Sequence, residues 1–431
     1  MSISAMTSPY SSSKRAKMAA GQPISALMTQ ALENADLLSL AAGFVDEATL
    51  PTTVVRQACA EIMADQRAAR AALQYGSTPG IPKLRSMLLE RFLGEQSVPV
   101  ANAPSVDQVV VTAGSNQLLH LIVESLLDPG DIVLCTEPTY FVFLGILANV
   151  GGRGQGVATD EHGMIPDSLD EQLKRIDAAG ELGHVKAIYL VPYFDNPQGI
   201  TTAPDRLARI VEIAKRWSIK HKIHVIADEA YRELRYEGPD YPSTRCYDED
   251  GDTVIVAGTF SKSFSPGIRV GWGVLPSHLV DPVCEQKGNI DFGSPNFSQA
   301  IMTYVLEQGQ FDDHVDGLLA GYAPKLQAML DSADEFFGPI EGVTWTRPSG
   351  GLYIWARMPT GLDTGPEGPL FRRAIQEGML YVPGQYCFPG EGEPVQLNTM
   401  RLSFGVQTIA RIRQGMQALS RAICEAQAAG D

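Results

Sequence analysis

The stretch from Thr259 to Trp272, TFSKSFSPGIRVGW, puts an amine, several hydroxyls and a guanidinium close together. Lys262 stands among Thr259, Ser261, Ser263 and Ser265, and Arg269 follows the Ser265-Pro266-Gly267 turn. An amine placed this way can condense with an aldehyde to form a Schiff base. An arginine beside hydroxyls, here those of Thr259 and Ser261, can hold a phosphate through its planar fork. A phosphorylated aldehyde needs both groups, and pyridoxal phosphate is such a molecule. A lysine in a serine-rich loop is ordinarily a solvated charge. What sets Lys262 apart is the joint spacing of the lysine, Pro266-Gly267, Arg269 and Gly271-Trp272.

Three other stretches carry groups suited to the same ligand. Asp228 follows the apolar run Ile223 to Ala227. The C-terminal end of a strand is where ligands sit in open α/β sheets, and a carboxylate there can pair with a protonated pyridine nitrogen. On its own, such an aspartate reads as a cap. Ser115 and Asn116 open a helix after the strand containing VVVT. A helix start offers free N–H groups and the positive end of the dipole to a phosphate, although Ser115 is equally an ordinary N-cap. Arg401 lies inside Asn398 to Gly405, where its fork suits a carboxylate or, alternatively, an internal ion pair.

These groups need rigid elements to position them. Apolar runs at 107–112, 132–135, 186–191, 223–227, 253–258 and 270–274 read as strands. Helical patterns alternate with them at 52–70, 81–93, 115–126 and 205–217, and a further one is expected at 24–36. That rhythm implies a parallel sheet between helices. Lys262 falls on the turn between two strands. From about Asp312 the pattern changes to helix followed by alternating runs at 343–346 and 350–355, which suits a half-exposed sheet in a smaller domain.

At 431 residues the chain can bury a large core and form two domains. With 44% hydrophobic and 19% charged residues its composition is that of a globular protein, and no apolar run is long enough for a membrane span. The formal net charge of -16 argues against nucleic-acid binding through a basic surface. Six cysteines and seven histidines are scattered without metal-ligand spacing, so no metal is expected. The cysteine usage fits a reducing, cytoplasmic setting. Residues 1–17 are serine-rich with Lys14, Arg15 and Lys17, and read as a disordered tail.

From about Leu27 to Gly405 the chain resembles the class I/II aminotransferases, fold-type I pyridoxal-phosphate-dependent enzymes. The motifs that carry this are the lysine stretch, Tyr75-Gly76, Gly114-Ser115-Asn116, Tyr140, Asn196-Pro197, Asp228-Glu229-Ala230-Tyr231 and Arg401. The resemblance implies a large three-layer α/β/α domain with a mostly parallel sheet at 51–310. It also implies a smaller α+β domain at 311–431, joined by the segment 18–50. It makes Lys262, Asp228 and Tyr231 the catalytic set. Ser115, Asn116, Thr259, Ser261 and Arg269 fall at the phosphate, with Tyr75 reaching the phosphate of a neighbouring subunit. Tyr140 would stack on the pyridine ring, Asn196 and Tyr231 would meet its phenolic oxygen, and Arg401, Gly43 and Asn196 would meet the substrate.

The activity implied is transfer of an amino group from an L-amino acid to a 2-keto acid by a ping-pong mechanism, in a homodimer with active sites at the interface. No nucleic-acid or membrane partner is implied. The same motifs also serve a lyase, a cyclopropane-forming synthase or a non-catalytic cofactor-binding regulator. The chain is similar to the branch of aminoadipate, kynurenine and aromatic aminotransferases. Two departures touch the substrate wall. Gly43-Phe44-Val45 stands where relatives continue Gly-x-Pro, and Ser25 follows Pro23-Ile24 where many place an arginine nearby. Gln198 replaces the threonine of the common Asn-Pro-Thr-Gly turn.

Overall fold

Along β3 (Ile132–Glu137), Ile132 and Leu134 join one apolar core while Val133 and Cys135 join another. Successive side chains of a strand point to opposite faces, so a strand buried on both sides needs a continuous apolar run. This alternation runs through the central sheet and makes three layers. The computed structural model describes residues 12–19, 37–41, 43–96, 99–100 and 102–428.

The first described elements are the short helix α1 (Lys14–Met18), strand β1 (Leu38–Ser39) and helices α2 (Thr52–Ala64), α3 (Gln66–Ala72) and α4 (Pro82–Gly94). Next come β2 (Val109–Thr112), α5 (Ser115–Leu126), β3, α6 (Phe141–Val150), β4 (Arg153–Asp160) and β5 (Gly163–Met164). Then follow α7 (Pro166–Ala178), β6 (Val185–Leu190), α8 (Pro204–Trp217), β7 (His224–Asp228), β8 (Val254–Thr259) and β9 (Gly271–Val274). The eight-stranded sheet has the order β2-β9-β8-β7-β6-β3-β4-β5. Pairings from β8 through β4 are parallel, while β9 runs antiparallel to both neighbours and β5 antiparallel to β4.

Helices α9 (Ser277–Asp291), α10 (Asn296–Glu307) and α11 (Gln310–Phe336) lead to the C-terminal part. There β10 (Thr344–Trp345), β11 (Tyr353–Arg357), α12 (Pro369–Gln376), β12 (Met379–Leu380), β13 (Val382–Pro383), β14 (Thr399–Ser403) and α13 (Ile409–Ala428) follow. A second, antiparallel sheet has the order β10-β11-β14-β13. Leu38 of β1 pairs with Met379 of β12, so the segment before α2 is stitched to the C-terminal part.

Several expectations shift. The single helix expected over 52–70 breaks at Asp65, whose extended backbone and side chain, accepting from the Ala68 N–H at 2.6 Å, start α3 afresh. The described end of the expected disordered tail is helical instead. Ser13 caps α1 by accepting from the Ala16 N–H, and Arg15 pairs with Glu124. The helix expected at 24–36, together with Ser25, lies outside the described residues. No helix among the described residues is long and apolar enough to cross a membrane.

Candidate active site

The strand ends of the large sheet and the faces of the second sheet meet around a cavity of about 260 Å³. Its wall includes Gly43, Ser115, Asn116, Tyr140, Asn196, Asp228, Tyr231, Thr259, Ser261, Lys262, Arg269 and Arg401. Those are the expected site residues other than Tyr75. Tyr75 is 79% exposed and packs against Phe292, with ring centroids 5.6 Å apart, outside the cavity.

Asp228 ends β7 between β6 and β8, in the middle of the sheet. Oδ2 accepts from the Tyr189 hydroxyl at 3.1 Å, while Oδ1 is buried with no partner. Burial is the main reason its pKa is pushed up to about 6; the Tyr189 hydrogen bond and Lys262 pull the other way. A buried carboxylate oxygen left without a donor is costly, so it marks a place for a cation or N–H donor. The ring of Tyr189 is itself held by stacking on Phe143, 3.6 Å between centroids.

Lys262 follows β8, and its Nζ donates to the Gly43 carbonyl at 2.8 Å. The buried lysines elsewhere differ. Lys287 pairs with Asp291 at 2.8 Å and Lys325 with Asp46 at 2.6 Å. Among the described residues no carboxylate pairs with Lys262, which leaves its amine available to a ligand. Its serine neighbours are partly used locally: Thr259 Oγ1 donates to Ser261 Oγ at 2.9 Å and accepts from the Ser261 N–H at 3.1 Å.

The anion end is built around Gly114. Its φ of +85° belongs to glycine, and a Cβ there would meet Arg269 Nη2 at 2.5 Å. Gly114, not Ser115, is the N-cap of α5, so the Ser115 hydroxyl is not consumed as a cap. Arg269 adopts a left-handed backbone (φ +51°) and donates to the carbonyls of Ala113 at 2.7 Å and Pro266 at 3.2 Å. A guanidinium beside a helix start forms an anion site. Tyr140 precedes α6, its hydroxyl 3.5 Å from Asn116 Oδ1.

Arg401 comes from the middle of β14 and is 1% exposed. Nη1 donates to Asn196 Oδ1 at 2.8 Å and Nη2 to the Ala41 carbonyl at 2.9 Å, while Nε is buried without a partner. No carboxylate is paired with it among the described residues, which disfavours the internal ion pair. Its Cζ lies 4.4 Å from the ring centre of Tyr353 and 5.4 Å from that of Phe141.

The cavity also takes in Phe44, Phe141, Val142, Val191, Ala230, Pro266 and Tyr353. Of these, Phe44 was legible as part of the substrate wall. Phe141 and Val142 follow the Tyr140 signal directly in sequence. Tyr353 had no signal beyond being an aromatic in a strand. The arrangement joins an amine, an anion site, a carboxylate with an orphan oxygen and a buried guanidinium. It suits a ligand with a phosphate at one end, an aromatic cation in the middle and a carboxylate on its partner.

Comparison with known proteins agrees with this chemistry. Residues 35–419 match the family model described as aminotransferase class I and II. An aromatic-amino-acid aminotransferase of Thermococcus litoralis is 33% identical over 394 residues, covering 91% of this chain and 89% of its own. A crystal structure of a kynurenine aminotransferase from Pyrococcus horikoshii superposes with a TM-score of 0.86 at 32% identity, covering 96% of each chain. An α-aminoadipate aminotransferase from Thermus thermophilus, complexed with a phosphopyridoxyl-leucine, gives 0.83 at 30% identity, covering 97% of this chain and 98% of that one. This chain therefore belongs to the class I and II aminotransferases, fold-type I enzymes that use pyridoxal phosphate to move an amino group from an amino acid to a 2-keto acid.

Proposed function

We propose that Lys262 is the amine that holds the cofactor and then handles the substrate proton, that Asp228 faces the pyridine nitrogen, and that Arg401 receives the substrate carboxylate. The observation that carries this reading is the convergence on one cavity of a carboxylate-free lysine, an Asp228 oxygen without a donor and a buried Arg401 Nε without an acceptor. Pyridoxal phosphate fits that set. Ser115, Asn116, Thr259, Ser261 and Arg269 would take its phosphate, Tyr140 would lie against its ring, and Asn196 and Tyr231 would meet its phenolic oxygen.

When bound, the cofactor supplies an electron sink for charge that develops at the substrate Cα. Asp228 keeps the ring nitrogen protonated, which requires the carboxylate form. With a pKa near 6 the free carboxyl is mostly ionised at neutral pH, and a cation opposite Oδ1 favours that form further. Arg401 binds the substrate carboxylate through its fork, with Asn196 fixing the guanidinium plane. Gly43 leaves the backbone open beside the amine. Lys262 Nζ would take the proton from the substrate Cα as general base and deliver it as general acid to the cofactor's C4′ carbon, not back to Cα.

The substrate class is hydrophobic or long amino donors. Phe44, Phe141 and Val142 give the cavity an apolar side, and the relatives named for aromatic amino acids, kynurenine and α-aminoadipate point the same way. The active unit is a homodimer in the cytoplasm, divided near residue 310 into the two domains expected from sequence. Tyr75, Phe292, Leu73 and Ile290 are exposed, and Tyr75 packs on Phe292; this apolar exposure supports a subunit interface from which Tyr75 would reach the partner subunit's phosphate site.

The test is spectroscopic. Holoenzyme should change its visible absorption when an amino acid alone is added and recover it when a 2-keto acid follows. A panel of amino donors against 2-oxoglutarate and pyruvate assigns the substrate class. Release of an elimination product without need of a keto acid would replace transfer by a lyase outcome.

A further inference from the structure

Tyr353 lines the cavity but had no role in the sequence-based site. Its ring is 1% exposed and faces the Arg401 guanidinium, 4.4 Å from Cζ to the ring centre. A phenylalanine would fill that slot equally well. What tyrosine adds is a hydroxyl 3.3 Å from the Tyr231 hydroxyl. A Cβ on residue 43 would stand 2.6 Å from that oxygen, so the bare backbone of Gly43 is what leaves room for it.

A contact between two phenols can run in either direction, because each hydroxyl both donates and accepts. Tyr231 Oη already accepts from Asn196 Nδ2 at 3.4 Å. When Tyr353 also donates to Tyr231 Oη, the acceptor positions of that oxygen are filled. The Tyr231 proton then turns to a third partner in the cavity. When Tyr353 loses its proton to solvent, its phenolate becomes the best acceptor at hand, and Tyr231 turns its own O–H toward it. One proton leaves the pair, and Tyr231 keeps its own.

We propose that Tyr353 is a positioning residue that sets the direction of the Tyr231 hydroxyl, aiming it into the cavity while Tyr353 is protonated and withdrawing it when Tyr353 ionises. This rests on the reading that Tyr231 serves the phenolic oxygen of the cofactor. The groups facing Tyr353 favour such a switch. Burial pushes its phenol up, but the charges of Lys262 and Arg401 and the hydrogen bond from Tyr231 outweigh burial, and the Cys387 thiol opposes them weakly. With the Lys262 amine free and charged, as in the apo protein, the net direction is downward. Tyr231 and Tyr140, by contrast, are pushed up, chiefly by burial, as is Tyr322 on the far side. Tyr353 is thus the phenol of this cluster that ionises first.

The test begins with the apo protein. Its tyrosinate absorbance in the near ultraviolet is titrated for wild type, Tyr353→Phe and Tyr231→Phe. Wild type should show one tyrosine ionising ahead of the buried phenols around it, in the direction that the Lys262 and Arg401 charges impose. That early step should vanish in Tyr353→Phe and move to higher pH in Tyr231→Phe, which removes the hydrogen bond to the phenolate. The visible band of the pyridoxal-phosphate-loaded protein is then titrated, and its alkaline transition should move in Tyr353→Phe, because the Tyr231 hydroxyl no longer changes direction. An early step that persists in Tyr353→Phe overturns the proposal, and so does a loaded-protein transition that this variant leaves unmoved. If Tyr353→Phe does not fold, Tyr231→Phe decides: an unshifted early step overturns the pairing. If wild type takes up no pyridoxal phosphate while the apo titrations behave as described, the pairing is supported and the cofactor role of Tyr231 falls instead.

Discussion

The two sheets contribute to the cavity in different ways. The large parallel sheet offers its strand ends: Asp228 closes β7, Lys262 follows β8, and Gly114-Ser115 links β2 to α5. The small antiparallel sheet offers side chains from within its strands, Arg401 from β14 and Tyr353 from β11, which pair across the register Tyr353–Ser403 and Trp355–Arg401. Strand ends of a parallel sheet carry backbone N–H groups and turns that can wrap a ligand fixed in place. Side chains on a second sheet can close over whatever that ligand holds. Under the proposed roles the difference becomes a division of labour, with cofactor binding assigned to the large sheet and substrate carboxylate binding to the small one.

The largest test of this division is Lys262→Ala. Turnover should fall by about 10⁴-fold, because the proposal gives Lys262 both the anchoring amine and the proton transfer. Near-normal rates would remove the large sheet from the chemistry. Next is Arg401→Ala, for which kcat/KM should drop by roughly 3 kcal/mol or more while pyridoxal phosphate binding stays within about threefold. Equal loss of cofactor and substrate affinity, measured by equilibrium dialysis and steady-state kinetics, would erase the distinction between the sheets.

Asp228 sharpens the comparison through stability. Its folded pKa of about 6 lies above the ordinary aspartate value of 3.8, so the folded apo protein holds this proton more tightly than the unfolded chain. The stabilisation is therefore complete below about pH 4 and is lost as pH rises through about 6, amounting to about 3 kcal/mol by neutral pH. Denaturant unfolding of apo Asp228→Asn across that window should show a flatter pH dependence than wild type. Matching slopes would mean that this carboxyl is not desolvated as described. The smallest effect expected is for Gly114→Ala, at about 1–3 kcal/mol of folding stability from the positive φ. Cofactor affinity should fall with it, since the new Cβ displaces Arg269. An unchanged affinity would take Arg269 out of the phosphate site.

The same contrast explains what the sequence made legible. Groups at strand ends come embedded in contiguous turn and glycine patterns, so Lys262, Arg269, Asp228 and Asn196 could be read off short runs. Tyr353 could not. It sits in a strand where Tyr353 to Ala356 are all buried, so alternation does not say which side chain faces a ligand. Its key partner, Tyr231, is 122 residues away. Ser115 was legible as a helix start, but only the backbone of Gly114 settles which residue caps α5. The break at Asp65 escaped because the helical pattern continues on both sides of it, and a single extended residue leaves no compositional mark. Tyr75 illustrates the opposite case, a recognisable motif whose side chain points away from the cavity of its own chain.

The most direct measurement is borohydride reduction of the pyridoxal-phosphate-loaded enzyme followed by peptide mass mapping. The expected result is a single phosphopyridoxyl group on Lys262, whose amine is held only by the Gly43 carbonyl among the described residues. Labelling of another lysine, such as the carboxylate-paired Lys287 or Lys325, would contradict it.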